Sequence, residues 1–513
     1  MSDARGNAAS YFVDRHVQEG RSDKVAFREW GTGRQMTYGA LASASNQVAG
    51  ALKRAGIQPE HRLAMIALDT IEFPQIFWGA LKAGVIPVPL NTLLATQVYD
   101  DILRDSRAVA LVVSEALYDT VKPALETNPY IQHVIVIGDA PFGTVSYSDF
   151  VADAVPQTAF AAHPDEVAFW LYSSGSTGTP KGVTHLHASL KATADTYGAG
   201  VLGIRESDVV HSAAKFFFAY GLGNAMTFPM SVGATVVLNA GRPTPQDVLQ
   251  IIADEGATLY CGVPTLYAAM VAHMDAHGVP ETQLRCCISA GEALPENVGT
   301  RWKAHIGADI LDGVGSTEML HIFLSNAPGD VVYGTSGVAV PGYDLKLVND
   351  DGSDTAQGDV GELLVRGLSA ASSYWNKRDK SRETFEGVWT RTGDKYEQRA
   401  DGRYIYCGRT DDMFKVSGIW VSPFEVESAL VSHDAVLEAA VVAQLDDEGL
   451  EKPKAFVVLQ GAAPDGLEQS LKDHVKDTIG MWKYPRWINV VDDLPKTATG
   501  KIQRFKLRQD ATT

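Results

Sequence analysis

From Val25 to about Val340 the chain alternates short apolar runs with amphipathic stretches. Residues 63–68 form a continuous apolar run of strand length, 72–83 carry helical spacing, and 85–89 return to a strand pattern. The strand signal recurs at 109–113, 134–137, 235–238 and 258–261, with helix-like segments between. Fully apolar strands alternating with amphipathic helices predict parallel sheets covered on both faces. The texture changes near Gly358: 360–366 (VGELLVR) and 404–407 (YIYC) read as strands joined by Gly- and Asp-rich turns, a smaller β unit. Beyond a polar Thr410-Asp411-Asp412 stretch, the pattern predicts helices over 425–431 and 467–479 and strands over 439–443, 455–459 and 487–491. The expected architecture is therefore α/β. A large N-terminal domain (1–410) holds parallel-rich sheets and a β-rich subdomain near 340–410, and a smaller mobile α+β C-terminal domain spans 411–513.

Composition narrows the function. The chain has 513 residues, 45% hydrophobic and 21% charged, ample for large cores. Its 44 Lys and Arg against 62 Asp and Glu give a formal charge of −18. Such a field gives no general attraction to nucleic acid or anionic lipid, so a polyanion would need a local, specific site. Neither a nucleic acid nor a membrane is an expected partner. Cys261, Cys286, Cys287 and Cys407 show no metal-ligand spacing and read as reduced thiols, mostly buried. No apolar leader follows Met1 and no run of eighteen apolar residues occurs, so a cytoplasmic protein is expected.

One segment carries explicit chemistry. An apolar strand, 167–171, runs into Tyr172-Ser173-Ser174-Gly175-Ser176-Thr177-Gly178-Thr179-Pro180-Lys181-Gly182-Val183. Glycines let backbone N–H groups approach phosphate oxygens, hydroxyls donate further bonds, and Lys181 adds a positive charge. It is not a Walker A loop, because Pro180 stands where that motif needs its second glycine.

This loop resembles the phosphate-binding segment of the adenylate-forming superfamily of acyl-CoA synthetases, adenylation domains and luciferases, and five further motifs follow in that superfamily's order. Residues 289–295 (SAGEALP) resemble the segment along the adenine, which places Gly291, Glu292 and Ala293 there, with Asp312 and Gly313 nearby. Gly315-Ser316-Thr317-Glu318 resembles the segment whose Thr meets the α-phosphate and whose Glu holds Mg²⁺. Thr392-Gly393-Asp394 resembles the ribose motif, with Arg409 supporting it. Asp411 matches the interdomain hinge, Gly418 a passage for pantetheine, and Lys501 the C-terminal catalytic lysine.

What the resemblance implies is chemically coherent. A carboxylate attacks the α-phosphate of ATP and pyrophosphate leaves; cations placed around the phosphates supply most of such catalysis. Rotation about Asp411 then exchanges faces of the C-terminal domain and coenzyme A takes the acyl group. Residues 215–224 (KFFFAYGLGN) and 319–323 (MLHIF) are similar to those of benzoate-CoA ligases and related aryl-CoA ligases. Lys215, Phe218, Ala219, Tyr220 and Gly315 would then border a flat slot for a small aromatic carboxylic acid, with His321 bonding its carboxylate. Two departures stand out: Phe218 replaces the histidine many members carry, and Val314 replaces an aromatic that stacks on adenine. ATP, Mg²⁺ and coenzyme A are the implied cofactors and co-substrates. A stand-alone enzyme loading an aryl acid onto a carrier protein is the alternative. The assembly state, a homodimer being one option, is open.

Overall fold

The computed structural model describes residues 6–174, 180–410, 412–416, 419–447, 449–481, 483–496 and 502–511, with the backbone alone at Ser174, Lys415, Ile419, Trp420, Phe505, Gln509, Asp510 and Ala511. Its contacts divide the chain into two compact units. The first runs up to Asp344 and includes Val365–Thr390; the second comprises Leu345–Leu364 and the residues from Arg391 onward. The boundary expected at Asp411 falls on a residue outside those described.

Among the described residues, the first unit is built on three sheets. In the largest, the strands run Val338–Ala339, Ile322–Ser325, Ile310–Gly315, Cys286–Ser289, Leu259–Gly262, Val209–Ser212, Thr235–Leu238, Val25–Glu29 and Gln35–Thr37. Pairing is parallel from Ile310–Gly315 through Val25–Glu29 and antiparallel at both edges. Thr235–Leu238, Leu259–Gly262 and Cys286–Ser289 are buried at every position, as expected of central strands covered on both faces. A second sheet is wholly parallel, in the order Ile86–Pro89, Arg62–Ile66, Ala110–Ser114, His133–Ile137, Val145–Ser146. The third joins Val167–Ser174, Pro180–Leu186 and Ser373–Tyr374 in antiparallel fashion. The expected strand at 167–171 thus extends to Ser174, and the loop opens between two strands of one hairpin.

Helix signals behave as their chemistry dictates. Pro245–Asp254 starts with Pro at its first turn, and the Thr244 hydroxyl accepts from the Asp247 N–H. Three free thiols, Cys261, Cys286 and Cys287, are buried in the largest sheet; Cys407 is half-buried.

In the second unit, Val436–Leu445 and Glu451–Leu459 pair antiparallel and Trp487–Val490 adds in parallel. Pro423–Val431 and Leu467–Ile479 pack on this sheet around Val426, Leu430, Val441, Val457, Leu471 and Val475. This unit also carries most of a sheet containing Val360–Arg366, Trp389–Gln398 and Tyr404–Arg409. No helix among the described residues is long and apolar enough to cross a membrane.

Candidate functional site

Parallel strands end together, so whatever follows each strand collects along one edge of the sheet. Here Val209–Ser212 leads to Lys215 and the aromatic run, Cys286–Ser289 leads to Gly291–Ala293, and Ile310–Gly315 leads to Thr317 and Glu318. Three motifs spread over about a hundred residues are delivered to one rim by strand direction alone.

The phosphate hairpin is tied to this rim by side chains. His185, fully buried on Pro180–Leu186, lies with Nε2 2.8 Å from the Thr317 carbonyl. Burial pushes its pKa down to about 4, so at neutral pH the ring is uncharged and the Nε2–H donates. Its ring stacks on Phe169 at 5.1 Å, which fixes its plane. Thr184 bonds the Ser372 hydroxyl at 2.7 Å and donates to the Ser373 carbonyl at 2.9 Å. On the same hairpin, the Tyr172 hydroxyl donates to Asp105 at 2.6 Å; burial and that neighbouring carboxyl push its pKa up.

Glu318 is held on both sides. Its carbonyl accepts from the Ala371 N–H at 2.8 Å and its Oε1 from the Tyr374 hydroxyl at 2.7 Å. No described residue bonds Oε2. Lys181 places its ammonium 4.6 Å from the centre of the Tyr374 ring. Among the described residues no group of three or more His, Cys, Asp or Glu could enclose a metal. Mg²⁺ bound through one carboxylate needs no such cage, since phosphate oxygens and water complete its shell.

The aromatic run packs around His321. Ala219–Leu222 is one helical turn followed by a π-helical turn, Gly223–Thr227, which sets Gly223 against His321. The Tyr220 hydroxyl donates to the carbonyls of Gly262 and Ile288, both at 3.1 Å. His321 sits among Tyr197, Tyr220 and Phe228, with ring centroids 5.5, 5.6 and 4.5 Å away. Its Nε2 lies 3.2 Å from the Tyr220 carbonyl, and burial pushes its pKa down to about 3. The ring therefore carries one proton, on Nε2. Its Nδ1 is buried without a partner among the described residues, as are the Asn224 amide, Ser289 Oγ and Asp312 Oδ1. Burial also pushes the Asp312 carboxyl well up. Beneath Phe216, Asp69 is raised to about 6 by burial and accepts the Phe216 N–H at 3.3 Å. Lys215 is engaged with backbone. Its ammonium donates to the carbonyls of Asn239 and, at 2.7 Å, Gly241.

In the second unit, Asp394 Oδ1 accepts from Arg409 at 3.0 Å, and Arg409 also donates to the Thr392 carbonyl at 3.1 Å. Gly393 has φ +71°, and a Cβ there would meet the Arg409 guanidinium at 2.9 Å, so glycine serves both backbone and neighbour.

Thus the structure brings Lys181, Thr317 and Glu318 together through Tyr374 and His185, gathers Ala219, Tyr220, Gly315 and His321, and pairs Asp394 with Arg409. A Cβ on Gly315 would meet the His321 carbonyl at 2.5 Å. Gly175, Ser176, Thr177, Gly178, Thr179, Asp411, Gly418 and Lys501 lie outside the described residues, as does the Ser174 side chain; Ser173 Oγ is buried with no partner among those described. Sequence reasoning missed Tyr374 and His185. His185 had a usable signal, a polar residue inside an apolar strand beside the lysine. Tyr374 had none, because its partners are 56 and nearly two hundred positions away.

A family model described as AMP-binding enzyme matches residues 13–375, and one described as AMP-binding enzyme C-terminal domain matches 425–501. The chain is 52% identical to a 4-hydroxybenzoate–CoA/benzoate–CoA ligase of Rhodopseudomonas palustris, over 98% of this chain and 94% of that protein. It is 52% identical to a benzoate–CoA ligase of Thauera aromatica, over 98% and 96%. A crystal structure of a benzoate CoA ligase from Burkholderia xenovorans superposes with TM-score 0.90 at 49% identity, covering 98% of this chain and 99% of that one.

Proposed function

The chain belongs to the AMP-binding enzyme family, and from that premise we propose that it is an AMP-forming aryl-CoA ligase acting on benzoate or a hydroxy- or aminobenzoate. The observation that carries this reading is the join between nucleotide and acid machinery. The strand bearing Lys181 is bonded to the Thr317–Glu318 turn, and the same turn continues into His321 of the aromatic slot.

In the first half-reaction an acid carboxylate oxygen attacks the α-phosphorus of ATP, the bond to the β-phosphate oxygen breaks, and pyrophosphate leaves. Lys181 and the hydroxyls and N–H groups of the hairpin loop hold phosphate oxygens; Thr317 faces the α-phosphate. The Glu318 carboxylate, with Oε1 oriented by Tyr374, fits one position of an Mg²⁺ shell, and bound Mg²⁺ would neutralise phosphate charge there. Lys501 stabilises the charge that develops as the bond forms. The ring of the acid lies against Ala219 and Tyr220. A singly protonated His321 donates through one nitrogen, so a bond to the acid's carboxylate exchanges with its bond to the Tyr220 carbonyl. In the second half-reaction the thiolate of coenzyme A attacks the acyl carbon, the bond to the AMP oxygen breaks, and AMP departs. Rotation about Asp411 brings Gly418 beside pantetheine for that step.

AMP release with ATP and Mg²⁺, with and without coenzyme A, across benzoates and aliphatic acids tests the reading. Turnover that requires coenzyme A and is confined to small aryl acids is expected. Adenylate formation that coenzyme A does not accelerate would move the acceptor to a carrier protein. Lys501→Ala should slow adenylation by about two to three orders of magnitude, while thioester formation from preformed acyl-adenylate stays near wild type. Equal loss in both steps would refute its role.

A further inference from the structure

We infer that Tyr374 is a positioning residue for adenylation: it holds the Glu318 carboxylate and the Lys181 ammonium in one fixed relation, so that metal and phosphate contacts form as a unit. This rests on the ATP-dependent reading of the site. Tyr374 is 4% exposed, on the two-residue strand Ser373–Tyr374, opposite Val183 of the phosphate hairpin. Its backbone is pinned on both edges. Thr184 bonds Ser372 and Ser373 on one side. On the other, the Tyr374 N–H donates to Ser381 Oγ at 3.0 Å, and that hydroxyl lies 3.3 Å from the Tyr374 carbonyl. The buried side chain therefore projects from a fixed backbone.

From this anchored position one neutral residue meets two opposite charges. The hydroxyl donates to Glu318 Oε1 at 2.7 Å, a charge-assisted bond that leaves Oε2 for other ligands. The ring face, which carries negative electrostatic potential, lies 4.6 Å from Lys181 Nζ. A phenol offers both without adding charge of its own. A carboxylate in its place would repel Glu318, and a second cation would repel Lys181. Glutamate has several rotatable bonds and Glu318 is only half-buried, so without the hydroxyl its carboxylate samples other rotamers and meets an incoming metal in the right one less often.

Tyr374→Phe removes the hydroxyl and keeps the ring; Tyr374→Leu removes both. The readouts are calorimetric ATP affinity with and without Mg²⁺, the Mg²⁺ dependence of benzoate-dependent ATP–pyrophosphate exchange, and thioester formation from benzoyl-adenylate. Tyr374→Phe should weaken Mg²⁺·ATP binding about tenfold, the size expected for loss of one bond to a charged group. It should shift exchange to about tenfold higher Mg²⁺, and leave metal-free ATP binding and thioester formation unchanged. Tyr374→Leu should in addition weaken metal-free ATP binding through Lys181. In a Glu318→Gln background Tyr374→Phe should add nothing. An unchanged Mg²⁺ dependence, or losses equal with and without metal or equal in both half-reactions, overturns the inference while leaving the ligase reading intact. A wild-type protein that binds no ATP overturns both.

Discussion

Gly223→Ala is the sharpest test of the aromatic slot, because the structure fixes what a single methyl group would strike. A Cβ at Gly223 would lie 2.3 Å from His321 Cδ2, 2.7 Å from its Nε2 and 3.0 Å from Phe228 Cζ. His321 has no room to retreat: it is 2% exposed and ringed by Tyr197, Tyr220 and Phe228. Relieving the clash means moving the imidazole by about an ångström. Overpacking of this kind costs about 1–3 kcal/mol. Separating Nε2 from the Tyr220 carbonyl, already at 3.2 Å, adds about 1 kcal/mol. We therefore expect a lowered thermal midpoint and, on the proposal that His321 bonds the acid's carboxylate, a KM for benzoate raised about tenfold or more, with the KM for ATP little changed. The assay is benzoate-dependent ATP–pyrophosphate exchange at saturating ATP, then at saturating benzoate. Gly461→Ala, where an added Cβ meets nothing within 4 Å, is the control and should be neutral. Wild-type acid affinity and stability in Gly223→Ala would refute the packing of His321 against this turn.

His185→Leu removes the donor to the Thr317 carbonyl, and an unpaired buried carbonyl costs about 1–3 kcal/mol. Adenylation should slow about tenfold or more, with thioester formation from preformed adenylate spared; equal loss in both steps would show that the bond serves only folding. Stability should also fall on acidification. Burial holds His16, His185, His187 and His211 down to about 4 and His321 to about 3, whereas the unfolded chain protonates them near 6.5. The unfolded state binds more protons in that window, so stability is lost as pH drops below about 6.5, at about 1.4 kcal/mol per histidine per pH unit. Asp69, raised to about 6, opposes this because the folded state keeps its proton, and Asp312 acts in the same sense. Calorimetry in buffers of differing ionisation enthalpy should find net uptake of about three protons on unfolding at pH 5.5; net release would overturn the assignment of neutral buried histidines.

Sequence alone fixed everything that depends on local period and on residue type. Leu467–Ile479 and Val360–Arg366 lie where their hydrophobic patterns place them, because a 3.6- or 2-residue repeat encodes its own buried face. A glycine- and hydroxyl-rich loop closed by Lys181 suits phosphate oxygens on residue type alone, whereas metal ligation by Glu318 is an expectation that only the resemblance of its Gly-Ser-Thr-Glu run supplies. The reach of some elements is set elsewhere: Val436–Leu445 runs well beyond the apolar core at 439–443, since its antiparallel partner supplies backbone bonds to flanks that include Glu438 and Gln444. What only the tertiary structure decided is which distant groups meet. Lys215 reads as a candidate for substrate, yet it donates to the Asn239 and Gly241 carbonyls after the sheet folds them beneath it. Tyr374 reads as one tyrosine among eighteen, yet strand pairing sets it between Lys181 and Glu318. Such relations follow from sheet order and burial, which are properties of the whole chain, and a linear pattern carries no record of them.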